Sequence, residues 1–171
     1  MSMSTYLINN QDSLDDMGLE QGPVVISRWV TFTVANETYA VNVLDVQEVL
    51  RAADITPIPG AHPAVRGIIN LRGNVVTILD ARVFFALPEK PFDDDSRIMV
   101  AELRSGEIAG IVVDSVAEVI VLDEAVVNAA KRSGGDEGSA HILGVVPQTE
   151  KGNDRLIILV DLKGLSELGE K

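Results

Sequence analysis

The chain has 171 residues, 46% of them hydrophobic, with 26 acidic against 14 basic side chains and a formal net charge of -12. That length suits one ordinary domain or two small, tightly associated ones, and the apolar share supplies a real core, so global disorder is excluded. The acidic balance repels phosphate backbones and anionic headgroups, which argues against nucleic acid and direct membrane binding; the acidic, polar start and the absence of cysteine point to a cytoplasmic protein without disulfides or thiolate metal sites.

Residues 1–27 show no sustained period and read as a flexible tail, although pieces such as Tyr6-Leu7-Ile8 could act as a docking peptide. From Trp29 the pattern changes: Val30, Phe32 and Val34 alternate with threonines, and Asn36-Glu37 turns the chain into Tyr39, Val41 and Val43, a first hairpin. Val43, Val46, Val49 and Leu50 then fall at helical spacing behind the capping pair Asn42 and Asp45, which predicts one or two turns of helix ended by Pro57 and Pro59. A second hairpin follows, Gly67–Leu71 and Asn74–Leu79, with Gly73 free to take positive φ and Asn74 tolerating it. The acidic Pro91–Ser96 stretch links two halves, and Lys131–Ser139, with three glycines, reads as the longest loop of the second.

The halves repeat. Val43, Val46, Glu48, Val49 and Leu50 are matched by Val113, Val116, Glu118, Val119 and Ile120; Gly67-Ile68-Ile69 by Gly144-Val145-Val146; Ile78-Leu79-Asp80 by Leu159-Val160-Asp161. One copy alone would leave its apolar face exposed, so the expectation is a mainly β domain of two small barrels or sheets with short helices, packed about an approximate two-fold axis.

Catalysis has little to work with. His62 and His141 each sit in structural surroundings, and no phosphate-cradling loop or nucleophile elbow is present, so no catalytic, cofactor or metal residues are assigned. An alternative reading is a small acidic β-barrel holding a divalent metal or small ligand through Asp93–Asp95 and the Lys131–Ser139 loop. The stronger candidates are polar residues set among apolar strands. Arg72 at the hairpin tip and Arg66 before Gly67 are cations able to grip a partner's carboxylates, or else solubilising charges. Asn70 suits bonding turn amides near Gly73; Glu48 is either a solvated helix charge or half of an interface ion pair; Gly67 marks a bulge or the close approach of another backbone. Together these residues describe a protein interaction module.

Tyr39-Ala40-Val41, Val46-Gln47-Glu48-Val49, Ile55-Thr56-Pro57-Ile58-Pro59, Val65-Arg66-Gly67, Ile69-Asn70-Leu71-Arg72-Gly73, Asp80-Ala81-Arg82 and Gly110–Asp114 occur in the order seen in CheW-like chemotaxis coupling proteins. From Trp29 to Leu165 the chain resembles that family, with Thr77, Ala81 and Ala86 departing from its usual proline, leucine and glycine. The resemblance implies a CheW-like domain over 28–166, made of two five-stranded, SH3-like β-barrel subdomains related by a pseudo-two-fold axis. Their approximate limits are 28–92 and 97–166, a division that interlocked repeats would blur. It also implies a non-catalytic adaptor between the cytoplasmic tips of methyl-accepting chemoreceptors and the regulatory domain of a CheA-type histidine kinase, recruited to receptor arrays at the inner membrane. The receptor tip would lie in the groove between subdomains, with Glu48, Gly67, Asn70 and Arg72 as the receptor-binding positions and Arg66 a further interface candidate. The apolar edges of both subdomains would meet the kinase.

Overall fold

The computed structural model describes residues 23–133 and 141–165. The tail expectation for residues 1–22 lies outside them, while Ile26 and Ser27, also assigned to the tail, begin the first strand. Ten strands follow in chain order: β1 (Ile26–Val34), β2 (Glu37–Asn42), β3 (Glu48–Arg51), β4 (Val65–Leu71), β5 (Asn74–Asp80), β6 (Arg97–Glu102), β7 (Ile108–Val113), β8 (Ser115–Asp123), β9 (Ile142–Glu150) and β10 (Asn153–Val160). They form two five-stranded, barrel-like sheets: barrel I, in the order β3-β6-β7-β5-β4, and barrel II, in the order β8-β1-β2-β10-β9.

The two orders are one pattern. Exchanging β1 with β6, β2 with β7, β3 with β8, β4 with β9 and β5 with β10 turns one sheet into the other, and each contains a single parallel pair, β5 with β7 or β10 with β2. This is the pseudo-two-fold symmetry expected from the sequence repeat. Each barrel nevertheless takes strands from both chain halves, because β3 leaves β1 and β2 to pair with β6, and β8 returns to pair with β1.

Period-two alternation decides which side chains are shared. Val30, Phe32, Val34, Tyr39 and Val41 point toward the other barrel and meet Met99, Ala101, Ile111, Val113 and Leu79 in the central core. The alternate residues fill each barrel: Trp29, Ala40, Ile120, Ile157 and Leu159 in barrel II, and Ile69, Val76, Ile78, Ile98 and Val112 in barrel I. An aromatic ladder crosses the central core, with Phe32 to Tyr39 at 5.5 Å, Tyr39 to Phe85 at 4.5 Å and Phe85 to His141 at 5.5 Å between ring centroids. Thr31 is a buried polar exception. Its hydroxyl donates to the Glu118 carbonyl at 2.7 Å and accepts from the Glu118 amide at 3.0 Å, which satisfies the backbone where β1 and β8 slip register between Val30 and Phe32.

Three expectations are corrected. The helix over Val43–Leu50 shrinks to one 3₁₀ turn, Val43–Asp45, capped by Asn42 Oδ1 accepting from the Leu44 amide at 2.9 Å. From Gln47 onward pairing with β6 captures the backbone, Gln47 N donating to Val100 O at 2.7 Å, and Val49 and Leu50 are strand residues. Second, Lys131–Ser133 belong to a helix, Glu124–Ser133, rather than a loop; it buries Val127 and Ala130 against β9, and residues 134–139 lie outside the described residues. Third, the turn of the β4–β5 hairpin takes positive φ at Arg72 (52°) and Gly73 (86°), leaving Asn74 in the strand.

Ala86 adopts φ 56° just past the end of the short helix Ala81–Phe84, a left-handed position that glycine fills with less strain.

Candidate functional site

Barrel I is an open order of strands, with β3 at one edge and the β4–β5 hairpin at the other. Curvature brings those edges together at one mouth, and an ion pair spans them. The Arg72 Nη1 and Nη2 donate to the two Glu48 carboxylate oxygens at 2.7 and 2.8 Å, a bidentate fork. The hydrogen bonds from Arg72, assisted by its charge, hold the Glu48 carboxyl below its ordinary pKa, and the same bonds raise that of Arg72.

The hairpin is built to present this arginine. The two-residue turn needs positive φ at both central positions, and the Asn70 side chain fixes it by accepting from the Gly73 amide at 2.9 Å. The turn-bonding role expected of Asn70 is therefore present. Beside the fork lies a depression of about 530 Å³ lined by Gln47, Leu71, Val75, Thr77, Glu107 and Ile108. Val75 is 71% exposed, an apolar side chain that the inside of the barrel does not use. Sequence reasoning missed Val75 and Ile108. In the unbroken strand-forming run Val75-Val76-Thr77-Ile78-Leu79, the outward positions look like the inward ones.

Gly67 and Arg66 sit at the other end of β4, about 17 to 20 Å from the tip at strand rise. Both readings of Gly67 hold there: β4 slips register between Val65 and Gly67, and a Cβ on Gly67 would lie 2.2 Å from the Thr56 carbonyl oxygen. Thr56 and Ile68 bond each other in both directions across this contact, at 2.8 and 2.9 Å. Gly144 repeats the arrangement in barrel II, its would-be Cβ 2.4 Å from the Ala130 carbonyl oxygen. Arg66 is turned into a groove of about 430 Å³ walled by Pro57, Ile58, Pro63 and Phe92. Its guanidinium stands 4.6 Å above the Phe92 ring centre, 3.2 Å from Glu89 and 3.6 Å from the buried Asp80. Burial pushes the Asp80 carboxyl above its ordinary pKa, only partly offset by the Arg82 amide and the Arg66 charge. Of the five predicted positions the structure thus gathers Glu48, Asn70 and Arg72 and leaves Gly67 and Arg66 apart.

Of the residues of the metal-binding alternative, the Asp93 and Asp94 side chains are engaged otherwise, and residues 134–139 lie outside the described residues. Asp93 Oδ1 accepts from the Asp95 and Ser96 amides at 2.9 and 3.1 Å, its other oxygen is 3.2 Å from Lys90 Nζ, and Asp94 is 3.7 Å from Arg51. Among the described residues no group of three or more His, Cys, Asp or Glu gathers to hold a metal ion. His62 Nδ1 accepts from the Ala64 amide at 3.0 Å, while His141 is buried against Phe85 and its pKa is lowered by that burial. No described helix is long and apolar enough to cross a membrane. What the surface offers is an exposed bidentate ion pair with an uncovered apolar side chain beside it, which suits reversible protein contact.

Residues 28–170 match the family model described as the CheW-like domain. The chain is 32% identical over 145 residues to the chemotaxis protein CheW of Klebsiella aerogenes, covering 84% of each. It is 30% identical to CheW of Bacillus subtilis (78% of this chain, 83% of that one) and 31% to the protein FrzA of Myxococcus xanthus (71% and 73%). The crystal structure of the scaffolding protein TtCheW from Thermoanaerobacter tengcongensis superposes with a TM-score of 0.72 at 31% identity, covering 86% of this chain and 97% of that one.

Proposed function

This chain belongs to the CheW-like family of non-catalytic chemotaxis adaptors, and from that premise we propose that it couples the cytoplasmic tips of chemoreceptors to the regulatory domain of a CheA-type histidine kinase. It would act in the cytoplasm, recruited to receptor arrays at the inner membrane. The observation that carries this reading is the Glu48–Arg72 fork at the barrel I mouth, with Val75 exposed beside it. In this reading the helical hairpin tip sits at the barrel I mouth rather than in the groove between subdomains that the resemblance implies, laying apolar side chains on Val75 and the depression around it while its own polar groups meet the exposed arginine. Asn70 holds the turn that presents Arg72. Gly67 acts at a distance, keeping β4 seated on Thr56 so that the hairpin stays in register. Arg66, turned inward, supports that same end of the strand. The apolar barrel edges remain for the kinase domain, and weak contacts of both kinds gain strength when repeated in an array.

Co-sedimentation of this protein, a CheA-type kinase and receptor-containing membranes tests the reading. Wild-type protein should carry kinase into the membrane pellet, and Arg72→Glu should leave it in the supernatant while its circular dichroism is unchanged. Normal recovery with a folded Arg72→Glu would overturn the site, and failure of the wild type to bind either partner would overturn the function.

A further inference from the structure

The depression beside the fork is lined by three charged side chains, Glu48, Arg72 and Glu107, and two of them cancel. Both Glu48 oxygens accept hydrogen bonds from Arg72, so that pair offers a partner a closed, locally neutral face. Glu107 is left to set the charge of the mouth. It is exposed, and among the described residues no hydrogen bond or ion pair holds its carboxylate. No described cation other than Arg72 lines the depression.

The strands fix where this charge stands. Thr77 on β5 pairs in parallel with Ala109 on β7, so two residues back along each strand Val75 lies level with Glu107, about 5 Å away at strand spacing. The turn before β7 is held by the Gly106 amide donating to the Leu103 carbonyl at 2.9 Å and the Leu103 amide donating to the Glu107 carbonyl at 2.8 Å, with Gly106 at φ 90°. In the sheet order β7 lies between the two edges that the fork joins, which places Glu107 between Glu48 and Arg72 with Val75 and the 36% exposed Ile108 beside it. The mouth thus combines a neutralised pair, an uncovered aliphatic patch and one uncompensated carboxylate.

We propose that Glu107 is a specificity-determining residue of this mouth, selecting receptor tips that present a lysine or arginine next to their apolar contact residues. This inference rests on the receptor reading of the Glu48–Arg72 site. A partner's carboxylate would be repelled by Glu107 and would have to open the bidentate fork to reach Arg72. A partner's cation finds an unpaired carboxylate, and its methylene stem can lie along Val75 and Ile108. The fork then stays closed on binding and acts as a fixed wall of the site, while Glu107 decides which tips are accepted.

The test is a charge-pairing cycle on the full chain. A soluble helical-hairpin fragment of a cognate chemoreceptor tip is titrated by calorimetry into wild type, Glu107→Gln, Glu107→Lys and Arg72→Glu at low and physiological salt, and the fragment's lysines and arginines are replaced by glutamine one at a time. Glu107→Gln should weaken binding about two- to fivefold, the range of an exposed ion pair, and flatten its salt dependence. Glu107→Lys should weaken it roughly tenfold or more, with circular dichroism unchanged because the side chain is exposed. One basic residue of the tip should couple to Glu107, its glutamine variant binding wild type and Glu107→Gln alike. Unchanged or tighter binding by Glu107→Lys, or no tip cation that couples to Glu107, with binding still lost in Arg72→Glu, would overturn the specificity role and leave the receptor reading standing. No binding of the fragment by wild type would overturn both.

Discussion

Replacing Gly67 by alanine tests how the hairpin is held in register. The residue has φ 147°, a conformation that side chains rarely adopt, and such strain costs about 1–3 kcal/mol. The new methyl would also lie 2.2 Å from the Thr56 oxygen and 2.8 Å from its carbon. Because those are backbone atoms, the 55–57 segment must move, and it gives up the two Thr56–Ile68 hydrogen bonds, at about 1 kcal/mol each. The sum is about 3–5 kcal/mol, which for a domain of this size lowers the thermal midpoint by roughly 10 °C. Gly73→Ala is the internal control: φ is 86°, nothing lies within 4 Å of its would-be Cβ, and only the conformational cost of about 1–2 kcal/mol applies. Urea unfolding and calorimetry of the two variants beside wild type give the comparison. Equal destabilisation by the two alanines would refute the claim that contact with Thr56, rather than backbone conformation alone, makes glycine necessary at position 67.

Two further outcomes follow from buried charge. Asp80 has its pKa raised by burial, so the folded state holds its proton to higher pH than the unfolded state does, and the stability this group contributes falls as pH rises from the ordinary carboxylate range through the raised value. Asp80→Asn, which can still accept from the Arg82 amide, should be at least as stable as wild type at pH 7 and lose that advantage below pH ~4, by urea midpoints across pH. Arg82 forks onto Asp114 at 3.1 and 2.6 Å with both side chains mostly buried, so Arg82→Ala should cost about 3 kcal/mol by leaving a carboxylate with the Ala35 amide and the Lys90 charge but no guanidinium, and adding Asp114→Asn should restore part of it in a double-mutant cycle.

The β character, the two-fold repeat and both hairpins were legible because alternation and glycine-bearing turns are local signals. What misled was the ambiguity of Val43–Leu50: four apolar residues at helical spacing also fit a 3₁₀ turn followed by a short strand, and only pairing with Val100 and Met99, in the other half of the chain, decides between them. The repeat held the clue, since the matching Val113–Ile120 segment is strand for most of its length. Helix Glu124–Ser133 escaped notice because its buried stripe, Val127 and Ala130, is narrow and its first-half counterpart is an extended, proline-bearing segment. At the site, Arg72 and Asn70 were legible from turn chemistry. Their union with Glu48 was not, because it depends on a sheet curling until its two edges meet.

The interlocked strand order also governs how the polypeptide acquires its shape during synthesis. Thr38 waits for Ile157 before its parallel pairing can form, and Trp29 waits for Ile120. An emerging first half therefore exposes β2 as an unclosed edge until nearly the whole chain has left the ribosome, and contacts between such distant residues make for slow, late-stage folding. Neither half, expressed alone, contains the strands that either barrel requires, so splitting the gene at the Pro91–Ser96 link should yield two fragments that fold only on meeting each other.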